Sequence, residues 1–126
     1  MDRLRSPGGC PWDRKQTHLS LIKYLREESK EMEAAIRKND MVNLEEELGD
    51  VLLQILFHAR IAQEKGRFNI HDVLDTLKLK LTLRHPHVFG DQRGEKWTAE
   101  DVVGRWAEIK KREKAIRAKM RRGRKR

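Results

Sequence analysis

The sequence predicts an all-α fold built from four helices, and three observations support this prediction. Charged residues make up 39% of the 126 residues and hydrophobic residues 37%, while aromatic residues are scarce and prolines number three. Apolar residues recur at the three- and four-residue spacing of a helix face, and no segment shows strand-like alternation. This composition favours a helical protein, and the length suffices for one domain with a hydrophobic core.

The first long helix is predicted at about 18–38, after an irregular lead-in over residues 1–16. The lead-in contains two prolines and two glycines, which favour turns and loops. Thr17 is a suitable N-cap for the helix that follows. The apolar stripe of this helix consists of Ile22, Leu25, Ser29, Met32 and Ile36.

A second helix is predicted at about 44–65, after a tight polar turn at residues 37–40. Asn43 and Glu46 have the spacing of a capping box, and Gly66 is a suitable stop signal. The apolar stripe of this helix consists of Leu44, Leu48, Val51, Ile55 and Ala62.

Residues 51–62 of this second helix are apolar on nearly every side, which one small domain cannot cover completely. A large apolar patch is unusual on the surface of a monomer. The sequence therefore predicts a homodimer, with an interface that includes residues away from the main stripe: Leu52, Leu53, Leu56 and Phe57.

The third helix is predicted at 70–84, capped by Asn69 with Asp72 and terminated before Pro86. Residues 85–97 are predicted to form a loop because they contain a proline, two glycines and several charges.

The fourth helix is predicted to begin at about residue 99, with Thr98 and Asp101 as its capping pair. It should run through Trp106 and Ile109 and fray within a basic tail.

Two acidic pairs, Glu28/Glu31 and Glu47/Asp50, flank the turn between the first two helices. Residues three apart share a helix face, and helices joined by a short turn run antiparallel, so the four carboxylates should converge. Converging carboxylates repel one another unless a cation lies among them, and oxygen ligands suit Mg²⁺ or Mn²⁺. The alternative is that these acids form a solvated helix face with lysine partners.

Phosphate-bearing substrates are the usual reason for a Mg²⁺ site. Lys80 and Arg84 lie one turn apart on the third helix, as do Trp106 and Lys110 on the fourth. An aromatic ring beside cationic groups suits a nucleotide, although Trp106 could equally be a core residue. The chain has neither the Glu-x-x-His motif of di-iron bundles nor a phosphate-binding glycine loop.

Basic residues are concentrated at the end of the sequence. Residues 110–126 contain eleven Lys or Arg and one Glu, which leaves residues 1–109 with a net charge of −1. We therefore expect a domain at 1–114 and a basic tail at 115–126 that is frayed or disordered. The tail could contact nucleic acid, although a solvated end that aids solubility is the favoured interpretation. The alternative function is a non-enzymatic helical module that binds nucleic acid through the tail.

The sequence predicts a cytoplasmic protein without a membrane span. Cys10 is the single cysteine, so an internal disulfide is excluded and a reducing compartment fits. There is no run of 18 apolar residues, and the N-terminal charges are not followed by the apolar stretch of a secretory signal.

The sequence resembles the MazG family of nucleoside triphosphate pyrophosphohydrolases over about residues 10–114. The shared motifs, in order, are Cys10-Pro11-Trp12-Asp13 with Gln16-Thr17, Leu25-Arg26-Glu27-Glu28 with Glu31, Glu46-Glu47-Leu48-Gly49-Asp50, Phe57-His58-Ala59-Arg60, Gly66-Arg67-Phe68, Arg84-His85-Pro86-His87-Val88-Phe89-Gly90-Asp91, and Trp106 with Ile109-Lys110.

The resemblance implies a dimeric all-α domain that hydrolyses a nucleoside triphosphate between the α and β phosphates, using Mg²⁺. By this likeness Glu28, Glu31, Glu47 and Asp50 are the metal ligands, and Glu27 has a supporting role near the attacking water. The positions that would contact the nucleotide are Lys80, Arg84, Trp106 and Lys110. The chain departs from the family at Leu83, where a second basic residue is frequent, and in its basic end beyond about Lys114.

Overall fold

The computed structural model describes residues 1–124, and helices are the regular secondary structure of this part of the chain. The all-α prediction is confirmed, while a single four-helix bundle remains a prediction. The chain divides into two compact units, Met1–Val73 and a second that begins at Leu74. The helices are α1 (Asp2–Arg5), α2 (Pro11–Lys15), α3 (Ile22–Arg37), α4 (Met41–Glu64), α5 (Ile70–Arg84), α6 (Pro86–Phe89), α7 (Ala99–Gly104) and α8 (Trp106–Arg124).

Helices α3 and α4 pack against each other as an antiparallel hairpin in the first unit. The turn between them places Asn39 at φ 52°, a left-handed conformation that asparagine tolerates better than most residues. The Asp40 carboxylate then accepts a hydrogen bond of 3.1 Å from the backbone N–H of Asn43. The predicted capping box of Asn43 and Glu46 is wrong, because Asp40 caps the helix first and α4 begins at Met41.

The start of α3 also differs from the prediction. Thr17 and Ser20 form a closed turn, in which each backbone N–H donates to the hydroxyl of the other residue at 2.8 and 3.1 Å. Thr17 therefore closes a turn, in which the Leu21 N–H also donates to the Thr17 carbonyl at 3.2 Å, and the predicted start at residue 18 is wrong because α3 begins at Ile22. The predicted irregular lead-in instead contains the short helices α1 and α2.

The core of the first unit is small and lies where α4 meets the residues that precede α3. Leu21, Phe57 and Ile61 are its buried members, and Tyr24 packs against them. Trp12 adds edge-to-face ring contacts with Tyr24 and Phe57, at centroid distances of 5.6 and 6.4 Å. The predicted place of Phe57 at a dimer surface is therefore wrong, since this side chain belongs to the core.

The buried face of α4 agrees only in part with the apolar stripe that the sequence predicted: Ala62 is buried, and Leu44 and Val51 are half-buried. Glu47, Gln54, Phe57 and Ile61 are buried, whereas Leu48 of the predicted stripe is 52% exposed. Two packed helices bury only the sides that face each other, so further apolar residues of α3 and α4 stay at the surface of one chain. The exposed apolar residues of the two helices are Ile22, Leu25, Ile36, Met41, Val42, Leu48, Leu52, Leu53 and Ile55.

Two predicted caps of the later helices are confirmed. Asn69 and Asp72 exchange hydrogen bonds of 3.0 Å at the start of α5. Thr98 and Asp101 form a complete capping box at the start of α7. The predicted loop at residues 85–97 contains the short helix α6.

The predicted fourth helix is interrupted: α7 ends at Gly104, Arg105 is its C-cap, and α8 begins at Trp106. Gly104 has a low helix propensity, which accounts for a break at this position.

Helix α8 continues through Arg124, although the sequence predicted a frayed or disordered tail from residue 115. Residues 115–122 contain only Ala, Ile, Met, Lys and Arg, most of which are strong helix formers. Residues 125 and 126 of the predicted tail lie outside the described residues. Among the helices of residues 1–124, none is both long enough and apolar enough to cross a membrane.

Candidate metal centre and nucleotide-binding residues

The structure brings together the four acids that the sequence placed on opposite sides of the first turn. Glu28 and Glu31 project from α3, and Glu47 and Asp50 project from α4. One carboxylate oxygen of each residue lies within 4.8 Å of the corresponding oxygen of the other three. The i, i+3 spacing within each helix and the antiparallel hairpin together produce this convergence.

Two of these carboxylates have buried oxygens that lack a hydrogen-bond partner. Glu47 is only 7% exposed and Glu28 is half-buried. Glu28 Oε2 and Glu47 Oε2 are both buried without a partner. A buried polar atom without a partner carries a desolvation cost, which a bound cation would remove. The residues present therefore fit a divalent cation held by oxygen ligands.

The proximity of the acids changes their protonation. Burial, followed by the negative charges of Glu31 and Asp50, raises the pKa of Glu28 from 4.5 to about 7. Burial and a hydrogen bond with Glu31 also raise the pKa of Glu47. These shifts mean that the metal-free cluster retains protons that a bound cation would have to displace.

Glu27, which the sequence assigned to catalysis, lies outside the group of converging carboxylates. It is exposed on α3, one helical turn before Glu31. Its position is compatible with contact with solvent or substrate beside the acids, and its role remains a prediction.

The four predicted nucleotide-binding residues lie in the second unit, where three of them meet around one ring. The Arg84 guanidinium lies 5.3 Å from the ring centroid of Trp106, and Lys110 Nζ lies 5.2 Å from the same centroid. Trp106 is half-buried, so part of its side chain remains accessible. An accessible indole can stack on an aromatic base, and the two cationic side chains beside it can neutralise phosphate charge.

A buried acid that the sequence reading missed holds this cationic group in place. Glu113 is 4% exposed and accepts from Arg84 Nε at 2.7 Å. The hydrogen bond from Arg84 outweighs burial and lowers the pKa of Glu113, and the positive charges of Lys80 and Arg117 lower it further. The available signal was that Glu113 is the single acid within residues 110–126, seven residues after Trp106 on one helix face.

Comparison with known proteins identifies the family. The family model of the MazG nucleotide pyrophosphohydrolase domain matches residues 16–89. The chain belongs to this family. It is 56% identical to the nucleoside triphosphate pyrophosphohydrolase/pyrophosphatase MazG of Thermotoga maritima, over 90% of this chain and 42% of that protein. It is 44% identical to the nucleoside triphosphate pyrophosphohydrolase of Escherichia coli K12, over 94% of this chain and 44% of that protein.

A solved structure supports the same assignment. The crystal structure of a MazG-related protein from Thermotoga maritima superimposes with a TM-score of 0.70 and 34% identity, covering 85% of this chain and 91% of that one. The chain spans less than half the length of the two curated MazG relatives described above.

The region matched by the MazG model includes all four converging acids together with Lys80 and Arg84. Trp106, Lys110 and Glu113 lie beyond its last matched residue, Phe89. The matched region therefore contains the acidic centre, whereas the α8 residues of the ring-and-cation group lie outside it, and the functional roles of both groups remain predictions.

Proposed function

We propose that this chain is a Mg²⁺-dependent hydrolase that cleaves nucleoside triphosphates between the α and β phosphates. The products would be a nucleoside monophosphate and pyrophosphate. The single observation that carries the proposal is the convergence of the Glu28, Glu31, Glu47 and Asp50 carboxylates within 4.8 Å. Membership of a nucleotide pyrophosphohydrolase family supports the same reaction class.

The four carboxylates would hold the cation. Their ligand atoms are all oxygen, a donor set that favours hard ions, so Mn²⁺ is the expected substitute for Mg²⁺. Bound Mg²⁺ supplies positive charge for the phosphates and lowers the pKa of coordinated water. The proposal requires one such ion.

Side chains of the protein would orient the attacking water, bind the base and stabilise the leaving group. Glu27 is our candidate for orienting the attacking water, because it lies one turn from Glu31 and is exposed. Trp106 would stack on the base, and Lys80, Arg84 and Lys110 would offset the negative charge that develops on the departing pyrophosphate. Arg84 is already oriented for this task by its ion pair with Glu113.

We also propose that the active form is a homodimer. Leu52 is 52% exposed, and Leu48, Leu53 and Ile55 beside it on α4 are exposed as well. Ile22 and Leu25 on α3, the helix that packs against α4, are exposed as well. A patch of this extent is typical of an interface, and a second copy presents the same patch for a symmetric contact.

A second candidate function is nucleic-acid binding through α8. Lys110, Lys114, Arg117 and Arg121 recur at intervals of four, three and four residues and so share one helix face. This face extends for roughly 16 Å along the helix axis. A nucleic-acid strand presents about one phosphate per 3.4 Å, so about five phosphates could lie along the face. Arg117 also lies 3.7 Å from Glu113, which neutralises part of its charge.

Product analysis tests the proposed reaction. Purified protein would be incubated with a panel of nucleoside triphosphates and Mg²⁺, and the products separated by ion-exchange chromatography. We expect equimolar monophosphate and pyrophosphate, and loss of turnover in excess chelator. Diphosphate with orthophosphate would show cleavage of the other anhydride bond. Full turnover in chelator would exclude the role given to the acidic centre.

A further inference from the structure

Two histidines distant in sequence form a hydrogen bond within the first unit. The Nδ1 atoms of His18 and His58 lie 2.6 Å apart, and the two ring planes differ in direction by only 3°. Atoms in parallel planes cannot be closer than the planes themselves, so these planes are separated by 2.6 Å or less. Stacked rings cannot approach below about 3.5 Å, so the rings meet edge to edge in nearly one plane.

This arrangement is a directed N–H···N hydrogen bond, which requires one donor and one acceptor. Burial and the nearby His18 lower the pKa of His58, which favours its neutral form. We therefore assign the acceptor role to His58 Nδ1 and the donor role to His18 Nδ1. A short hydrogen bond between two half-buried rings constrains both the distance and the relative orientation of the segments that carry them.

His18 is held firmly by its own segment. It lies within the closed Thr17–Ser20 turn, whose Ser20 hydroxyl also donates to Gln16 Oε1 at 2.8 Å. Gln16 in turn donates to the Trp12 carbonyl at 3.0 Å. Leu21, the residue after this turn, is fully buried in the core. Because this turn leads directly into α3, the position of His18 constrains the position of the first residues of α3.

His58 belongs to the most buried part of α4, between Phe57 and Ala59. It comes eight residues after Asp50, which corresponds to about 12 Å along the helix. At that separation neither the ring nor its hydrogen bond reaches the four carboxylates. Any influence on the acidic centre must pass through the relative placement of α3 and α4.

We propose, on the basis of the proposed function, that His18 and His58 act together as a positioning pair that fixes the register of α3 against α4. Glu28 and Glu31 are carried by α3, and Glu47 and Asp50 by α4, so this register sets the gap between the two acidic pairs. Loss of the hydrogen bond would allow small shifts of α3 relative to α4. The cation would then be held less well, although all four of its ligands remain.

The test measures Mn²⁺ binding by the electron paramagnetic resonance signal of the free ion. The variants are His18→Phe, His58→Phe and the double variant, which keep a planar aromatic ring but cannot form the N–H···N hydrogen bond. His71→Phe is the control for a histidine change at an exposed position, and Ile61→Val is the control for general loss of core packing. Catalytic constants are measured in parallel with saturating and limiting Mn²⁺.

We expect each single variant to bind Mn²⁺ up to about tenfold more weakly. This is the low end of the loss seen when a group bonded to a metal ligand is removed, because the histidine pair touches no ligand and acts only through the placement of the helices. The double variant should lose no more than either single variant, because both substitutions break the same bond. Saturating Mn²⁺ should restore most of the turnover. The two controls should retain the affinity of the wild-type protein.

Three results would overturn the proposal: unchanged Mn²⁺ affinity in the single variants, additive losses in the double variant, or an equal loss in Ile61→Val. If His58→Phe does not fold, His18→Phe provides the test alone, since it removes the same bond from a turn and leaves α4 unaltered. A wild-type protein that fails to bind Mn²⁺ would refute the metal centre itself. That failure of the proposed function is visible before any variant is compared.

Discussion

The Glu113 carboxylate accepts from Arg84 Nε at 2.7 Å, and the same guanidinium lies over the Trp106 ring. The carboxylate is buried, whereas the Arg84 side chain keeps 25% of its accessible surface. The Arg84 guanidinium is therefore held in position by the buried Glu113 carboxylate, while its exposed part remains accessible to a ligand. Glu113 is therefore a positioning residue for the proposed nucleotide contact.

Replacement of Glu113 by Gln should raise the KM for nucleotide several-fold, because Arg84 loses the charge that orients it. The free energy of unfolding at neutral pH should fall by about 1–3 kcal/mol, the usual cost of leaving a buried partner unsatisfied. Urea unfolding and steady-state kinetics would measure the two effects. The matched control is Glu108→Gln, an exposed acid on the same helix. A variant with wild-type KM and stability would contradict the role of the ion pair.

The contribution of this ion pair to folding stability should decrease as the pH falls. Arg84 lowers the pKa of Glu113, so the stability it contributes is present above the ordinary glutamate pKa and is lost as pH falls through the lowered value. The wild-type protein should lose this contribution on acidification below about pH 4.5, the ordinary glutamate range. Glu113→Gln should lack that part of the acid-induced loss. Unfolding curves over this acidic range, compared between the two proteins, measure the difference.

The contribution of the acidic centre to folding stability should change with pH in the opposite direction. The pKa of Glu28 is raised to about 7, so between 4.5 and 7 the folded metal-free protein binds more protons than the unfolded chain. Its contribution to stability is present at low pH and is lost as pH rises through 7. The thermal midpoint of metal-free protein should therefore fall across this range, and Mg²⁺ should reverse the trend.

The measurement is a series of thermal unfolding curves between about pH 5 and pH 8, with chelator or with Mg²⁺. Glu28→Gln removes the titrating group and should flatten the decline in chelator. A wild-type midpoint that rises with pH in chelator would show that the carboxylates are not crowded in solution. An equal decline in Glu28→Gln would assign the effect to another group.

The sequence predicted the acidic centre well because its geometry depends on local rules alone. Helical spacing of three residues and one short turn suffice to bring Glu28, Glu31, Glu47 and Asp50 together. The reciprocal caps at Asn69 and Thr98 were also predicted correctly, since each requires only two side chains at a fixed interval.

Features that depend on competition or on burial were predicted poorly. Asp40 and Asn43 are both suitable caps, and the choice between them depends on the geometry of the preceding turn. The apolar spacing of α4 placed Leu48 in the core, whereas the structure buries Glu47 and exposes Leu48. Hydrophobicity alone cannot identify which face of α4 meets the partner helix when a buried acid, Glu47, occupies part of that face.

The proposed metal centre predicts that substitution of two neighbouring glutamates, Glu46 and Glu47, will have very different effects on turnover. Glu47→Gln removes a buried carboxylate from the converging group, and turnover should fall by ~10²–10³. Folding stability in chelator should not fall, because relief of repulsion offsets the lost contact. Glu46→Gln is the matched control, since it makes the same change at an exposed residue outside the group. Comparable turnover in the two variants would place the chemistry elsewhere.

The proposed dimer makes a prediction for the exposed side of α4. Leu52→Lys introduces a charge into the apolar patch and should shift the protein from dimer to monomer at micromolar concentration. Sedimentation velocity measures the change directly. Leu19→Lys is the control, because Leu19 is exposed in the turn before α3 and lies outside the patch on the two helices. A wild-type protein that sediments only as a 14.9 kDa species would refute the dimer.

Truncation after Lys114 separates the two candidate functions. The shortened chain retains Trp106, Lys110 and Glu113, so nucleotide turnover should remain within about twofold of the full chain. It loses Arg117 and Arg121 from the basic face, so binding to a nucleic-acid oligonucleotide should weaken and depend less steeply on salt. Fluorescence anisotropy at several salt concentrations, together with turnover, measures both effects. If turnover is lost and nucleic-acid binding persists, the functions assigned to the acidic centre and to α8 are both wrong, because catalysis would then depend on the basic end and binding would not.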